Sequence, residues 1–337
     1  MTMPSTDRTR PFEPHGLLRN AHVQSILTSS PWRKWLVRRR TADYRGRSVE
    51  EIITTPEGVR LQGFRNQPLQ SGSDGLAILL HGWEGSADSN YLLDAAQALD
   101  DAGMATFRLN FRDHGESHHL NEDLFHSCRL QEVLQAVGQI ASAHQQGPVF
   151  LVGFSLGGNF ALRVARNAPS EGFQLDRVIA VSPVIRPQNA MAAMREGLSV
   201  YEQYFVRKWR RSLKRKRTLY PDRYQLDEWL KHKNLSEQTR HLVEAYTDFE
   251  DINSYFDGYA IADDYLKGLD IQTTIITTLD DPIIPVHDFH QLPQMEQLDI
   301  EIWPHGGHCG FIKNWRCDSW IAQRIVSELI GENRGES

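Results

Sequence analysis

The sequence predicts an α/β fold, a mostly parallel sheet flanked by helices with a helical cap inserted into it. Three observations predict it. Short apolar runs alternate with amphipathic helical stretches up to residue 184 and again from 266. The alternation lapses over 185–265, which reads as almost entirely helical and carries many aromatics, Tyr201, Phe205, Trp209 and Trp229 among them. Third, Gly153-Phe154-Ser155-Leu156-Gly157 stands between an apolar run (149–152) and a helical pattern (160–165), so that a serine falls on a sharp strand-to-helix turn.

Residues 1–48 are rich in Pro and Arg without a clear period and read as an N-terminal extension packing on the core. Glu51–Thr55 and Val59–Phe64, split by Pro56-Glu57-Gly58, read as a β-hairpin. A loop follows at 71–75, then a buried strand at Leu76–Leu80 that runs into His81-Gly82-Trp83-Glu84-Gly85-Ser86. Leu92, Leu93, Ala95, Ala96 and Leu99 mark one face of a helix over 91–101, which Gly103 ends. Met104–Leu109 is the next strand, and 122–145 the next helix. The serine turn and its helix come next, followed by a strand at Arg177–Val181. Past the cap, Ile271–Thr278 and Leu298–Trp303 are strands, and a helix over 315–330 closes the chain. The expected organisation is a core at 49–184 and 266–337 interrupted by the cap at 185–265.

Composition narrows the function classes. The chain has 337 residues, 40 % of them hydrophobic and 24 % charged, the balance of a globular protein with a substantial core. A net charge of −6 argues against nucleic acid as the main partner. Cys128, Cys309 and Cys317 form no CxxC and no even-numbered framework, which suits a reducing compartment. The first residues hold no apolar signal-like region, and no segment is long and apolar enough to span a bilayer. A cytoplasmic protein is the expectation.

The chemistry concentrates at strand ends. A serine hydroxyl needs a base, a group that orients the base, and donors for a developing oxyanion. Downstream of Ser155, Asp280 and Asp281 follow one expected strand, and His305 and His308 follow the next. The order Ser, Asp, His differs from that of the chymotrypsin and subtilisin types. Asp281-Pro282-Ile283-Ile284-Pro285 favours Asp281 as the acid, leaving Asp280 to cap the turn through its own backbone, although either could serve. Gly306 and Gly307 let the chain bend just before His308, which favours it over His305 as base. The backbone N–H groups of Trp83 and Leu156 are the expected oxyanion donors. His81 is expected to orient that loop, and the Trp83 side chain either lines an acyl pocket or packs in the core. Cys309 reads as a packing residue. This chemistry calls for no metal and no cofactor.

Two clusters fall outside this scheme. Asp113, His114, His118 and His119 have a metal-like composition but no ligand spacing, and read as a solvated loop. The basic run Arg207–Arg217 reads as a solvated cap helix, with peripheral membrane contact through anionic headgroups, or contact with nucleic acid, as the alternative.

Together these residues resemble the YheT-like branch of the α/β-hydrolases, which also includes eukaryotic lipases. Leu18-Arg19-Asn20-Ala21-His22-Val23-Gln24-Ser25 is similar to its N-terminal segment, with Ala21 where Pro is usual. His81–Ser86 resembles its oxyanion loop, and Asn110-Phe111-Arg112-Asp113-His114-Gly115 its following turn, with Asp113 in place of Gly. Asp257-Gly258-Tyr259 with Asp264-Tyr265 is similar to the segment before its acid strand, and Gly306-Gly307-His308-Cys309-Gly310-Phe311 to its base loop. The resemblance spans nearly the whole chain. It implies the α/β-hydrolase fold and a serine hydrolase that cleaves carboxylic esters, of short to medium acyl chains or lipid-like, through an acyl-enzyme. The rivals are an acyltransferase that passes the acyl group to an alcohol, and a catalytically idle lipid- or membrane-binding protein.

Overall fold

The computed structural model describes residues 11–69, 75–144 and 147–331. The loop expected at 71–75 lies outside them except for Gly75, as do the first ten residues of the N-terminal extension. That extension forms α1 (Ala21–Thr28), α2 (Pro31–Arg40) and α3 (Ala42–Gly46). Asn20 caps α1 by accepting from His22 N and Val23 N, and Ser30 with Pro31 starts α2. The core follows as β1 (Val49–Thr54), β2 (Arg60–Asn66), β3 (Leu76–Leu80), α4 (Asn90–Asp101), β4 (Ala105–Leu109), α5 (Leu130–Ala143), β5 (Val149–Phe154), α6 (Leu156–Asn167) and β6 (Arg177–Val181). Four helices come before the next strand: α7 (Pro187–Glu196), α8 (Ser199–Leu219), α9 (Leu235–Tyr246) and α10 (Ile252–Asp257). The chain then completes the core with β7 (Thr273–Thr278), β8 (Leu298–Trp303) and α11 (Trp320–Ile330).

The eight strands form one sheet in the order β1-β2-β4-β3-β5-β6-β7-β8. β1 and β2 pair antiparallel, β2 joins β4 antiparallel, and every pair from β4 to β8 is parallel. The buried strands are apolar on both faces, as a sheet covered on both sides requires. Leu76, Ile78 and Leu80 pack with Phe107, Leu151, Phe160 and Val164 under α5 and α6. Ala77 and Leu79 point the other way, joining Leu92, Val152, Ile179, Ile321 and Ile325 with Val37 and Tyr44 of the N-terminal helices. The helices α7–α10 and the segments between them build a third core from Trp209, Leu213, Trp229 and Leu242, continuous with Ile275 and Ile283 at the sheet's end.

Two helices start later than the sequence suggests. The helix expected over 122–145 covers only α5, because Phe125 N donates to Asp113 Oδ2 and Ser127 N to Tyr255 Oη, bonds a helix start would not make. The helix expected from 315 begins at Trp320, since Ile312 bridges Ser319 and the Ser319 side chain caps Ala322 N.

The loop read as solvated is exposed at His119, but its other three named residues are buried. Asp113, His114 and His118 are enclosed because Lys216 of α8 reaches in, its Nζ 2.7 Å from Asp113 Oδ1 and donating also to the carbonyls of Asn121 and Asp123. Asp113 holds φ at 59°, the left-handed region that favours glycine. The basic run of α8 is therefore not a uniformly solvated face: Trp209, Leu213 and Lys216 are buried.

Candidate active site

β5 delivers Ser155 at φ 54°, ψ −118°, a strained conformation for a residue with a side chain. Flanking bonds hold it there, Ser155 N to Val181 O at 2.8 Å and Asn159 N to Ser155 O at 3.0 Å. The turn demands glycine: a Cβ on Gly153 would collide with the Gly157 carbonyl, and one on Gly157 with the carbonyls of Leu80 and His81. α6 starts immediately afterwards, so its N-terminal dipole end faces the serine.

The hydroxyl meets an imidazole. His308 Nε2 lies 2.9 Å from Ser155 Oγ, and His308 Nδ1 lies 2.9 Å from Asp281 Oδ2. The Asp281 side chain is wholly buried and its other oxygen accepts from Ile283 N and Ile284 N, so the carboxylate is fully engaged. That arrangement fixes the tautomer: Nδ1 donates to Asp281 and Nε2 accepts from the serine. Burial lowers the affinity of the imidazole for a proton, but the adjacent Asp281 carboxylate outweighs it and raises the His308 pKa well above its ordinary value.

Asp280 and His305 stand beside this chain and not in it. Asp280 Oδ1 accepts from Gly307 N at 2.9 Å, so Asp280 braces the histidine loop, where the sequence suggested that it caps its own turn. His305 Nδ1 is 3.6 Å from Asp280 Oδ2. Cys309 is buried, with Sγ 4.0 Å from His308 Nε2.

The loop 81–86 closes from the other side. A Cβ on Gly82 would sit 3.2 Å from Ser155 Cβ. Gly82 N donates to Tyr91 Oη at 2.9 Å, and Gly85 N to Gly82 O at 3.0 Å. His81 Nδ1 donates to Gly82 O and its Nε2 accepts from Phe111 N, so His81 ties this loop to the end of β4 and has no part in the serine–histidine chain. Burial depresses its pKa well below the usual value and keeps the ring neutral. His114 behaves alike, pushed down to about 4 by burial while accepting from Glu84 N. Among the described residues the backbone N–H groups of Trp83 and Leu156 donate to no protein acceptor.

Sequence reasoning missed the N-terminal brace. Ser25 Oγ accepts the backbone N–H of His308 at 2.9 Å. The buried Gln24 side chain donates to Leu18 O and Ile312 O and accepts from Ile312 N, clamping the chain just after the histidine loop. Gly307 must be glycine, because a Cβ there would strike Ala21 O. The resemblance at 18–25 was the available signal, since a motif so far from the serine needs a reason to be specific.

Two cavities meet at Ser155. One, about 90 Å³, is lined by apolar groups such as Met191, Met194, Trp209 and Tyr259. The other, about 920 Å³, opens between α2, α8 and the loop at 82–89. Ser155, Trp83, Phe205 and Ile283 line both. Trp83 stacks on Phe205 at 5.2 Å and meets the edge of Trp209 at 5.2 Å, so its side chain is both packed and part of the wall.

Comparisons with known proteins identify the family and the fold. The sequence model of the alpha/beta hydrolase family matches residues 77–315. The esterase-named YheT of Escherichia coli (strain K12) is 27% identical over 286 residues, which cover 79% of each chain. The embryogenesis-associated protein EMB8 of Picea glauca is 23% identical over 324 residues, 90% of this chain and 68% of that one. Among solved structures, the Pyrococcus furiosus esterase Pf2001 shares 16% identity at TM-score 0.55, covering 85% of this chain and 92% of the other. Est1E of Butyrivibrio proteoclasticus, solved with ferulic acid, shares 17% identity at TM-score 0.55 and covers 85% and 100%.

Proposed function

The chain belongs to the alpha/beta hydrolase family, and from that premise we propose that it is a serine hydrolase cleaving carboxylic esters through an acyl-enzyme. The observation that carries the reading is the unbroken chain of contacts Ser155–His308–Asp281 at the floor of a cavity. Ser155 Oγ attacks the ester carbonyl as His308 Nε2 takes its proton. Asp281 keeps the proton on Nδ1, leaving Nε2 free to accept, and stabilises the imidazolium. The N–H groups of Trp83 and Leu156 receive the oxyanion; one such donor contributes roughly 10²–10³ in rate. His308 returns the proton to the departing alkoxide, and water activated by the same histidine releases the acid. The small apolar cavity takes the acyl group and the large one the alcohol. Three free thiols, with Cys309 next to the base, suit a reducing compartment such as the cytoplasm.

A fluorophosphonate probe tests the reading. It should label the wild type, and Ser155→Ala should remove both labelling and ester turnover, a loss of roughly 10⁶-fold for a triad serine. Labelling that persists in Ser155→Ala rules this site out as the nucleophile. Product analysis with added alcohol separates hydrolysis from acyl transfer, because only a transferase yields the new ester.

A further inference from the structure

The two cavities differ in chemistry as much as in size, and the difference lies in charge. One face of α8 runs Tyr201, Tyr204, Lys208, Arg211 and Arg215 at steps of three and four residues, and all of them line the large cavity. From the opposite bank α2 contributes Lys34 and Arg38, one turn apart. These cations are close enough to act on one another: burial first, then repulsion from Arg38 and Lys208, lowers the Lys34 pKa, with Asp88 opposing and Arg211 adding to it. Such a cluster costs free energy in the empty protein and relaxes when an anion enters it.

The acids in the same wall do not cancel it. Glu116 pairs with Arg215 at 2.5 Å and Asp113 with Lys216 at 2.7 Å. Asp88 meets Arg45 at 3.2 Å and Arg108 at 3.3 Å, with Arg38 only at 4.0 Å. Glu50 accepts from the Gln62 amide. Burial pushes the Glu84 pKa up to about 8 against the pull of Lys208, which weakens it as a counter-charge. Among the described residues, Lys34, Lys208 and Arg211 have no carboxylate within ion-pair distance. Lys208 is also fixed in place. Its Nζ donates to Glu84 O at 2.7 Å and lies 4.9 Å from the centre of the Tyr204 ring. Glu84 directly follows Trp83, so this charge stands on the oxyanion loop's own wall.

We infer that the large cavity recognises an ester whose alcohol half carries an anionic group, a phosphate in the first instance, while the small apolar cavity takes a short acyl chain. The inference rests on the hydrolase reading above and names the substrate class of that same site. A phosphate fits because guanidinium and ammonium groups from two helices can contact several of its oxygens at once. The tenfold smaller volume on the acyl side favours a soluble ester over a long-chain lipid.

The test compares butyryl-glycerol phosphate with butyryl-glycerol. Wild-type kcat/KM should favour the phosphorylated ester by at least about tenfold at low salt, and added NaCl should shrink the ratio. In Lys34→Ala/Arg211→Ala the ratio should fall at least about tenfold, through KM for the phosphorylated ester, while Arg211→Lys should keep most of it. Inorganic phosphate should compete with butyryl-glycerol in the wild type and compete less in the double variant. Equal turnover of the two esters, or a ratio indifferent to loss of both cations, overturns the inference. Vesicles of long-chain phosphatidylglycerol are expected to give little turnover. If they are the better substrate, the cations serve a lipid headgroup and the short-acyl assignment fails. Labelling of Ser155 by the fluorophosphonate in the same samples keeps the two readings apart. A labelled enzyme without selectivity fails only here, and an unlabelled one fails as a serine hydrolase.

Discussion

Ser25 and His308, separated by 283 residues, share a hydrogen bond in which the histidine's backbone N–H donates to the serine hydroxyl at 2.9 Å. The same hydroxyl donates to Ala21 O at 2.8 Å, so α1 is tied to the loop that carries His308. The N-terminal helices are therefore part of the site's frame, not an appendage to the core.

Ser25→Ala should test that frame. It leaves the His308 N–H without its partner, a cost of about 1–3 kcal/mol. The imidazole also loses positional restraint, and misplacement by about 1 Å can cost roughly 10²-fold in rate. The expected result is a clear fall in kcat with little change in KM and a modestly lower melting temperature. A variant kinetically indistinguishable from wild type shows that the loop is held without α1.

Asp281 and Asp280 should separate cleanly. Asp281→Asn keeps the side chain's shape but favours the wrong tautomer of His308, and the expected loss is about 10⁴ in kcat. Asp280→Asn retains an oxygen for Gly307 N and should cost far less. Asp280→Ala removes that acceptor and should fall between them. Steady-state kinetics of the three variants decide the matter, and the reverse ranking would make Asp280 the acid.

The pH profile follows from the same pair. Only neutral His308 can accept the serine proton, and Asp281 raises its pKa against the opposing effect of burial. The acid limb of kcat/KM should therefore lie above the ordinary histidine value of 6.5, with activity lost as pH falls through it. The stability that the imidazolium–Asp281 pair supplies runs the other way: it is fully present below the unfolded value and lost as pH rises through the folded one. In Asp281→Asn the carboxylate no longer offsets burial and only Cys309 still raises the pKa, so the residual activity should show its acid limb at lower pH. A limb that stays in place shows that Asp281 does not set it.

What was legible in the sequence was whatever local pattern encodes. The apolar runs of β3 to β8 and the glycines around Ser155 are local, and each maps onto an observed element. The choice of Asp281 over Asp280 rested on a five-residue register, and Asp281 is the one within reach of His308. What could not be read depends on contacts between distant segments. The helix start at Leu130 is set by Asp113 and Tyr255, which claim N–H groups from elsewhere in the chain. The burial of Asp113, His114 and His118 depends on a lysine about a hundred residues away, and their composition alone resembles a solvated loop. Likewise, the basic run looked uniform in sequence. Only the helix's placement sends Lys208 and Arg211 to a cavity and Lys216 into the interior.

Lys216 and Asp113 supply the last prediction, because they join cap to core through a fully buried contact. Burial opposes both charges, raising the Asp113 pKa and lowering that of Lys216, so each depends on its partner to stay ionised. Removing one member strands the other: Lys216→Met should cost about 3–5 kcal/mol. It also frees the carbonyls of Asn121 and Asp123 that Lys216 holds. Replacing both, in Asp113→Asn/Lys216→Met, removes the stranded charge and should recover part of that loss, giving a coupling in the double-mutant cycle. Since the contact fixes α8 over the loop at 82–86, Lys216→Met should also loosen the wall that carries Lys208 and Trp83 and raise KM. Denaturant melts of the four proteins measure the coupling. Additive effects would mean that the pair contributes no more than its separate parts, and that the apolar packing of Trp209 and Leu213 alone seats the cap.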